Sequence, residues 1–217
     1  MGPARKLLNK LENQTESEII TFDNIKLKCS KNVFSPTVTH CSKLFADSIL
    51  CKDGNSCLEI GVGSGYNLIK LGTKYKNLKL FGADFNNTAC EIASFNLELN
   101  GLKATIYHSN LFDEIPSEKF DNIYFNPPLI HKNYSKIVEA SIYDPDGKTL
   151  KAFFDKVNNY IHSNSKIYVL YTRSEKEFFM ETISKNNLEH KILTSKDVGY
   201  EEYTVYELAR KTPDNNI

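Results

Sequence analysis

The chain has 217 residues, 41% hydrophobic and 12% aromatic, enough to bury one sizeable core, and nothing in its composition marks a second domain. Lys plus Arg and Asp plus Glu both number 27, so a zero formal charge argues against strong general attraction to a polyphosphate backbone. The basic clusters at Arg5-Lys6, Lys26 to Lys31 and Lys70 to Lys79 are interrupted by apolar residues and read as solvated faces, so a nucleic-acid partner is possible but not favoured.

From Ala4 to Asn13 the apolar positions Leu7, Leu8 and Leu11 have helical spacing. Ile19-Ile20-Thr21-Phe22 and Ile25-Lys26-Leu27-Lys28-Cys29 alternate as strands around Asp23-Asn24, so a short helix and a hairpin over residues 1–35 are expected to open the fold. Pro36 ends the extended stretch, and Val38, Cys41, Leu44, Phe45 and Ile49 share one face of a helix predicted over Thr37 to Leu50. Strands are then predicted at Ser56–Ile60, Lys79–Ala83, Ala104–His108, Asp121–Phe125 and Lys166–Tyr171, with helices at Tyr66–Tyr75, Asn87–Asn100 and Lys148–Ile161 between them. A last helix, Glu175–Asn186, precedes two strand-like stretches, Glu189–Thr194 and Glu202–Leu208, joined through Gly199. Short apolar strands alternating with helices imply a doubly wound α/β sheet covered on both faces, with an antiparallel hairpin at one edge. The main domain is expected over 36–211, with Thr212 to Ile217 as a tail.

The five cysteines include no pair at the spacing of a zinc knuckle or redox motif, which suggests buried reduced thiols and no metal. No run approaches the roughly 18 apolar residues of a membrane span and none resembles a signal peptide, so a cytoplasmic location away from membranes is expected.

In such sheets ligands lie beyond the carboxyl ends of the central strands, where the strand order reverses. The loop Gly61-Val62-Gly63-Ser64-Gly65, Asp84, Asn110 and Asn126 all follow strands of that sheet and should converge. The glycines let a ligand approach the backbone at a helix N-terminus, and Asp84 stands where a carboxylate can accept both ribose hydroxyls of a nucleoside. The Gly-x-Gly-x-Gly spacing after Glu59 differs from the Gly-x-Gly-x-x-Gly of dinucleotide binders, and an acidic neighbour suits the amino-acid moiety of S-adenosylmethionine better than a pyrophosphate.

Leu58-Glu59-Ile60-Gly61-Val62-Gly63-Ser64-Gly65 resembles motif I of class I S-adenosylmethionine-dependent methyltransferases, and Gly82-Ala83-Asp84 resembles their ribose motif. Asn126-Pro127-Pro128, after the apolar strand Asn122 to Phe125, resembles motif IV of the amino-methyltransferases of that class. Val33-Phe34-Ser35-Pro36 resembles the start of the HemK-type release-factor glutamine methyltransferases, Asp146-Gly147-Lys148 their segment after motif IV, and Gly199 to Leu208 their closing hairpin.

The resemblance implies a Rossmann-like, mostly parallel seven-stranded sheet and N-methylation of a planar amino or amide nitrogen, with a protein glutamine side chain as first candidate. Small molecules and exocyclic amines of rRNA or DNA are alternative acceptors, and a non-catalytic partner subunit is the reading outside enzymes. By resemblance, Asn126 Oδ1 and the Pro127 carbonyl take the two hydrogens of the acceptor nitrogen, while Glu59, Gly61, Gly63, Gly65, Asp84 and Asn110 hold S-adenosylmethionine. Leu129 stands where the family carries a stacking aromatic, and Thr39-His40 where it carries Asp-Thr. The polar segment Ile130 to Asp146 is a candidate substrate loop, so Tyr134, Tyr143 or Phe34, together with Pro128 and Leu129, are expected to line the acceptor site. His40 and His131 flank that site and read as pocket-wall or surface residues rather than bases. The family's short archaeal and eukaryotic branch also implies a small activating protein subunit.

Overall fold

The computed structural model describes residues 3–13 and 18–211; the expected tail at 212–217 lies outside the described residues. Helix α1 (Pro3–Glu12) precedes the hairpin of β1 (Ile19–Phe22) and β2 (Ile25–Lys28). Asp23 and Asn24 turn the hairpin at φ 53° and 62°, the left-handed pair that a two-residue primed turn demands and that Asp and Asn tolerate. The hairpin is held to the main body by side-chain amides. Asn96 Oδ1 accepts from Lys28 N at 2.7 Å and Asn100 Nδ2 donates to Lys26 O at 2.8 Å, so two residues one helical turn apart act as a short neighbouring strand.

The main body runs α2 (His40–Ser48), β3 (Ser56–Ile60), α3 (Tyr66–Lys74), β4 (Lys79–Asp84), α4 (Asn87–Leu99), β5 (Ala104–His108), β6 (Phe120–Phe125), α5 (Lys148–Val157), β7 (Ile161–Thr172), α6 (Lys176–Lys185), β8 (Leu188–Asp197) and β9 (Glu202–Arg210). The seven-stranded sheet has the order β5-β4-β3-β6-β7-β9-β8. It is parallel from β5 to β7; β9 runs against both β7 and β8, so the closing hairpin forms the edge. Successive residues of the central strands serve opposite faces, as the pleat requires. Ile123, Phe125, Ile167 and Val169 pack with Phe153, Phe154 and Phe179 of α5 and α6, whereas Tyr124, Tyr168 and Leu170 pack with Phe45, Leu68 and Leu97 of α2, α3 and α4.

Several elements differ from their predicted extents, and β8 and β9 run on to Asp197 and Arg210. The helix expected to reach Ile161 ends at Val157, and a 3-10 turn at Asn158–Tyr160 follows. Arg210 Nη2 takes up the carbonyls of Asn158 and Ile161 at 2.5 and 3.3 Å, and Ile161 pairs with Phe120 as the first residue of β7. The polar run His162-Ser163-Asn164 conceals that early start, because it lies at an irregularity in the register between Phe120 and Asn122. Helix α2 begins at His40, with Thr39 extended as its cap residue, three positions later than the apolar spacing suggests.

All five cysteines are free; Cys41, Cys57 and Cys90 are buried, whereas Cys29 and Cys51 are only half-buried. Among the described residues no helix is long and apolar enough to cross a membrane.

Candidate active site

The strand order reverses between β3 and β6, so these two parallel strands flank a crevice at their carboxyl ends. Their register pairs Ile60 with Phe125, so Gly61 and Asn126 leave the sheet side by side. Above them lies a cavity of about 450 Å³ lined by the ends of β3, β4, β6 and β7, the stretch 32–42, the loop after β6 and the tip of the β8–β9 hairpin.

One half of the cavity is made by the glycine loop and the end of β4. The Gly61 and Val62 amides donate to Ala83 O at 2.8 and 3.0 Å, which carries the loop across the top of the neighbouring strand. Gly63, at φ 52°, donates to Asp84 Oδ2 at 3.0 Å, and Asn86 N donates to Oδ1 at 2.9 Å. Asp84 is buried, which raises its pKa, and these two amides oppose the shift. Each of its oxygens keeps acceptor capacity towards the cavity it lines. Asn86 caps α4 by accepting from Thr88 N at 3.1 Å, so Asp84 is spared that task.

Glu59 is 2% exposed at the end of β3. Its Oε1 accepts from Asn67 Nδ2 at 2.6 Å, while Glu59 Oε2 and Asn67 Oδ1 are buried without a hydrogen-bond partner. Burial, reinforced by the charge of Asp84, pushes the Glu59 carboxyl up to about 8. Two buried acceptors on one wall suit a ligand that brings several N–H donors and a positive charge. Asn110 lines the cavity too, with its Nδ2 turned to Asp113 Oδ2 at 3.5 Å and its own Oδ1 left available. Gly65 stands off the wall. It caps α3 at φ 79°, where an added Cβ would come within 3.3 Å of Ala93, so its smallness lets α3 pack on α4.

The other half is built around the end of β6. Asn126 is half-buried, lines the cavity, and among the described residues makes no side-chain hydrogen bond. Pro127, Pro128 and Leu129 follow on the wall, with Phe34 from the amino-terminal stretch and Tyr134 from the loop. Leu129 packs against both faces of the sheet core, and its amide donates to Ile142 O at 3.1 Å.

The expectation for Tyr143 is corrected: it is 5% exposed, is not on the cavity wall, and packs with Leu8 and Leu11 of α1, Val138 and Ile142 in a satellite core. The segment 130–146 is therefore not wholly a polar substrate loop. A 3-10 helix at Ile137–Ser141 buries one side against α1 and turns Ile137, Ala140 and Ser141 to the cavity. His131 likewise leaves the site. Its Nδ1 lies 3.3 Å from Glu175 and its ring meets Phe178 edge-on, while His40 is exposed at the start of α2; neither lines the cavity.

The sequence profile of the methyltransferase small domain family matches residues 24–176. The chain belongs to this family. Over 174 residues it is 30% identical to a candidate protein N5-glutamine methyltransferase of Methanocaldococcus jannaschii, an alignment covering 77% of this chain and 85% of the relative. It is 28% identical over 153 residues to the release factor glutamine methyltransferase of Streptococcus pneumoniae, covering 65% of this chain but only 54% of that longer protein. Among solved structures, a methyltransferase from Pyrococcus furiosus superposes with a TM-score of 0.66 at 17% identity, covering 96% of this chain and 98% of that one. The E. cuniculi Mtq2-Trm112 complex superposes with a TM-score of 0.65 at 15% identity, covering 83% and 99%. Those two likenesses show the fold, and the family shows a methyltransferase.

Seen as a methyltransferase, the chain has wall residues that its motifs do not announce: Asn67, Thr172, Ser174, Tyr200, Glu201 and Tyr203. Asn67 carries a detectable signal, a polar residue on the otherwise apolar face of a helix that starts at the glycine loop. The others come from β7 and the closing hairpin and have no local pattern to reveal them.

Proposed function

We propose that this methyltransferase moves a methyl group from S-adenosylmethionine to the side-chain amide nitrogen of a glutamine in a protein. The observation that carries the reading is the position of Asn126-Pro127: level with the glycine loop on the adjacent strand, facing the same cavity, with the Asn126 amide uncommitted.

The residues present fit the cofactor. Asp84 would take the ribose hydroxyls, Asn110 Oδ1 the adenine amino group, and the unpartnered Glu59 Oε2 and Asn67 Oδ1 the amino group of the methionine part. Bound there, S-adenosylmethionine supplies an electrophilic methyl group on a sulfonium that is already a good leaving group. What remains for the protein is placement. An amide nitrogen is a poor nucleophile because its lone pair is delocalised. Asn126 Oδ1 and the Pro127 carbonyl accept its two N–H bonds, turn the lone pair towards the methyl and stabilise positive charge as it grows on nitrogen. Proline fixes φ and brings no competing N–H, so the clamp is set before the acceptor arrives. The bound donor would supply the new N–C bond at the expense of its own S–C bond, and the surplus proton on the acceptor nitrogen would leave to water.

A protein acceptor is favoured by the relatives named as glutamine methyltransferases and by a formal charge of zero, which supplies no net attraction to a polyphosphate backbone. A small partner subunit is part of the proposal, by analogy with the E. cuniculi complex. The test is transfer of a tritiated methyl group into cell extract, separated into protein, nucleic-acid and small-molecule fractions. Label in protein that is released as N-methylglutamine by exhaustive proteolysis, and as methylamine by acid hydrolysis, supports the reading. Label confined to either other fraction refutes it.

A further inference from the structure

We propose that Tyr200, at the tip of the β8–β9 hairpin, is the specificity-determining surface for the planar group of the acceptor, and that Glu201 is its positioning residue. The proposal rests on the glutamine reading above, and it identifies the wall that replaces the aromatic absent at Leu129.

Strand order sets the direction. The residues assigned to the cofactor leave β3, β4 and β5, all on one side of Asn126; the end of β7 and the start of β9 lie on the other side. An acceptor nitrogen gripped by Asn126 therefore trails its own chain towards β7 and the hairpin tip. The cavity wall there consists of Thr172, Ser174, Tyr200, Glu201 and Tyr203.

The tip is a pinned structure. The Glu201 carboxylate accepts from the amides of Arg173, Ser174 and Glu202 at 3.1, 3.2 and 2.9 Å through Oε1, and from Ser174 Oγ at 2.5 Å through Oε2. Val198 N donates to Glu201 O at 2.9 Å, and Gly199 N to Asp197 Oδ1 at 2.6 Å. Those bonds clasp the tip to the turn after β7 and fix the backbone beside Tyr200. On that fixed backbone Tyr200 is 64% exposed, the highest value among the exposed large apolar side chains.

It has company. Nine large apolar side chains are exposed among the described residues, and five of them, Phe85, Ile130, Tyr134, Ile137 and Tyr200, line this one cavity. Single exposed apolar residues need no explanation, but their concentration around one mouth marks a recognition surface. Leu129 lines the cavity with an aliphatic side chain and brings no ring to stack, and Tyr134, beside the Ser135 and Lys136 amides that donate to Glu139 Oε2 at 2.9 and 3.0 Å, is less exposed than Tyr200, 46% against 64%. A tyrosine ring on a pre-set backbone gives a flat, low-entropy wall for an amide plane.

The experiment compares wild type, Tyr200→Phe, Tyr200→Ala, Glu201→Ala and the double variants Tyr200→Ala/Glu201→Ala and Leu129→Tyr/Tyr200→Ala. It measures acceptor KM and kcat on the labelled protein fraction, with S-adenosylhomocysteine affinity by calorimetry. Tyr200→Ala is expected to raise acceptor KM about three- to tenfold, with cofactor-product affinity unchanged and Tyr200→Phe close to wild type. Glu201→Ala should reproduce that KM change, combining it with Tyr200→Ala should add nothing, and Leu129→Tyr should restore part of the loss. An unchanged KM in Tyr200→Ala, or a loss that falls equally on S-adenosylhomocysteine binding, overturns the proposal. Wild type that binds S-adenosylhomocysteine yet labels no protein overturns the glutamine reading itself, and the acceptor side assigned here with it.

Discussion

The two halves of the cavity are built by different rules. Residues 59–67 and 84–86 form the cofactor side almost alone: two short stretches whose amides and carboxylates bind one another, mostly buried apart from Gly61 and Phe85, and already in place. The acceptor side gathers residues 34, 126–130, 134–142, 172–174 and 200–203, brought together only by the finished sheet, and leaves several aromatic and aliphatic side chains in solvent. A side made from two consecutive windows suits a ligand that never changes. One assembled from loops can change its acceptor without disturbing the other, which is why a methyltransferase can carry Leu129 and keep the glycine loop and Asp84 intact.

The sharpest test of that division is Asn126→Ala. Loss of one pre-set acceptor should lower kcat by about 10²- to 10³-fold, with S-adenosylhomocysteine affinity held within twofold by calorimetry. A matched loss of affinity would mean that the halves are not separable. Asp84→Ala is the mirror experiment: it should weaken S-adenosylhomocysteine about 10- to 100-fold and leave kcat at saturating cofactor nearly unchanged.

Glu59 sharpens the comparison through pH. Its folded pKa, about 8, lies above its ordinary value of 4.5, so the fold favours the protonated acid. Its contribution to stability is therefore complete below about pH 4.5 and is lost as pH rises towards 8. Urea unfolding of the cofactor-free protein should show Glu59→Gln close to wild type at pH 5 and more stable than wild type at pH 9, and equal stability at both pH values would refute the buried, unpaired carboxyl. The smallest effect on activity is expected for Leu11→Ala. Emptying its place in the satellite core should cost about 2–4 kcal/mol locally, loosen the 3-10 helix at Ile137–Ser141, and raise acceptor KM a few-fold without touching cofactor affinity.

The same division governs what could be read from the chain alone. Gly61, Gly63, Asp84 and Asn126 are legible because each sits at the end of a short apolar strand, and the alternation of strands and helices brings those ends together. Tyr143 is misleading because its partners Leu8 and Leu11 lie far upstream, and no local period records a contact over that distance. Glu201 is silent for a related reason: its partners are mostly backbone amides of the turn after β7, which have no residue identity to notice. The end of α5 was similarly hidden, since Arg210 caps carbonyls more than 40 residues before it in the chain.

The most direct test of the account is a crystal structure with S-adenosylhomocysteine bound. The prediction is that its ribose meets Asp84, its amino group meets Glu59 and Asn67, and its sulfur faces Asn126 across the gap the acceptor nitrogen would fill. A sulfur directed away from Asn126, or a ligand seated outside this cavity, would contradict it.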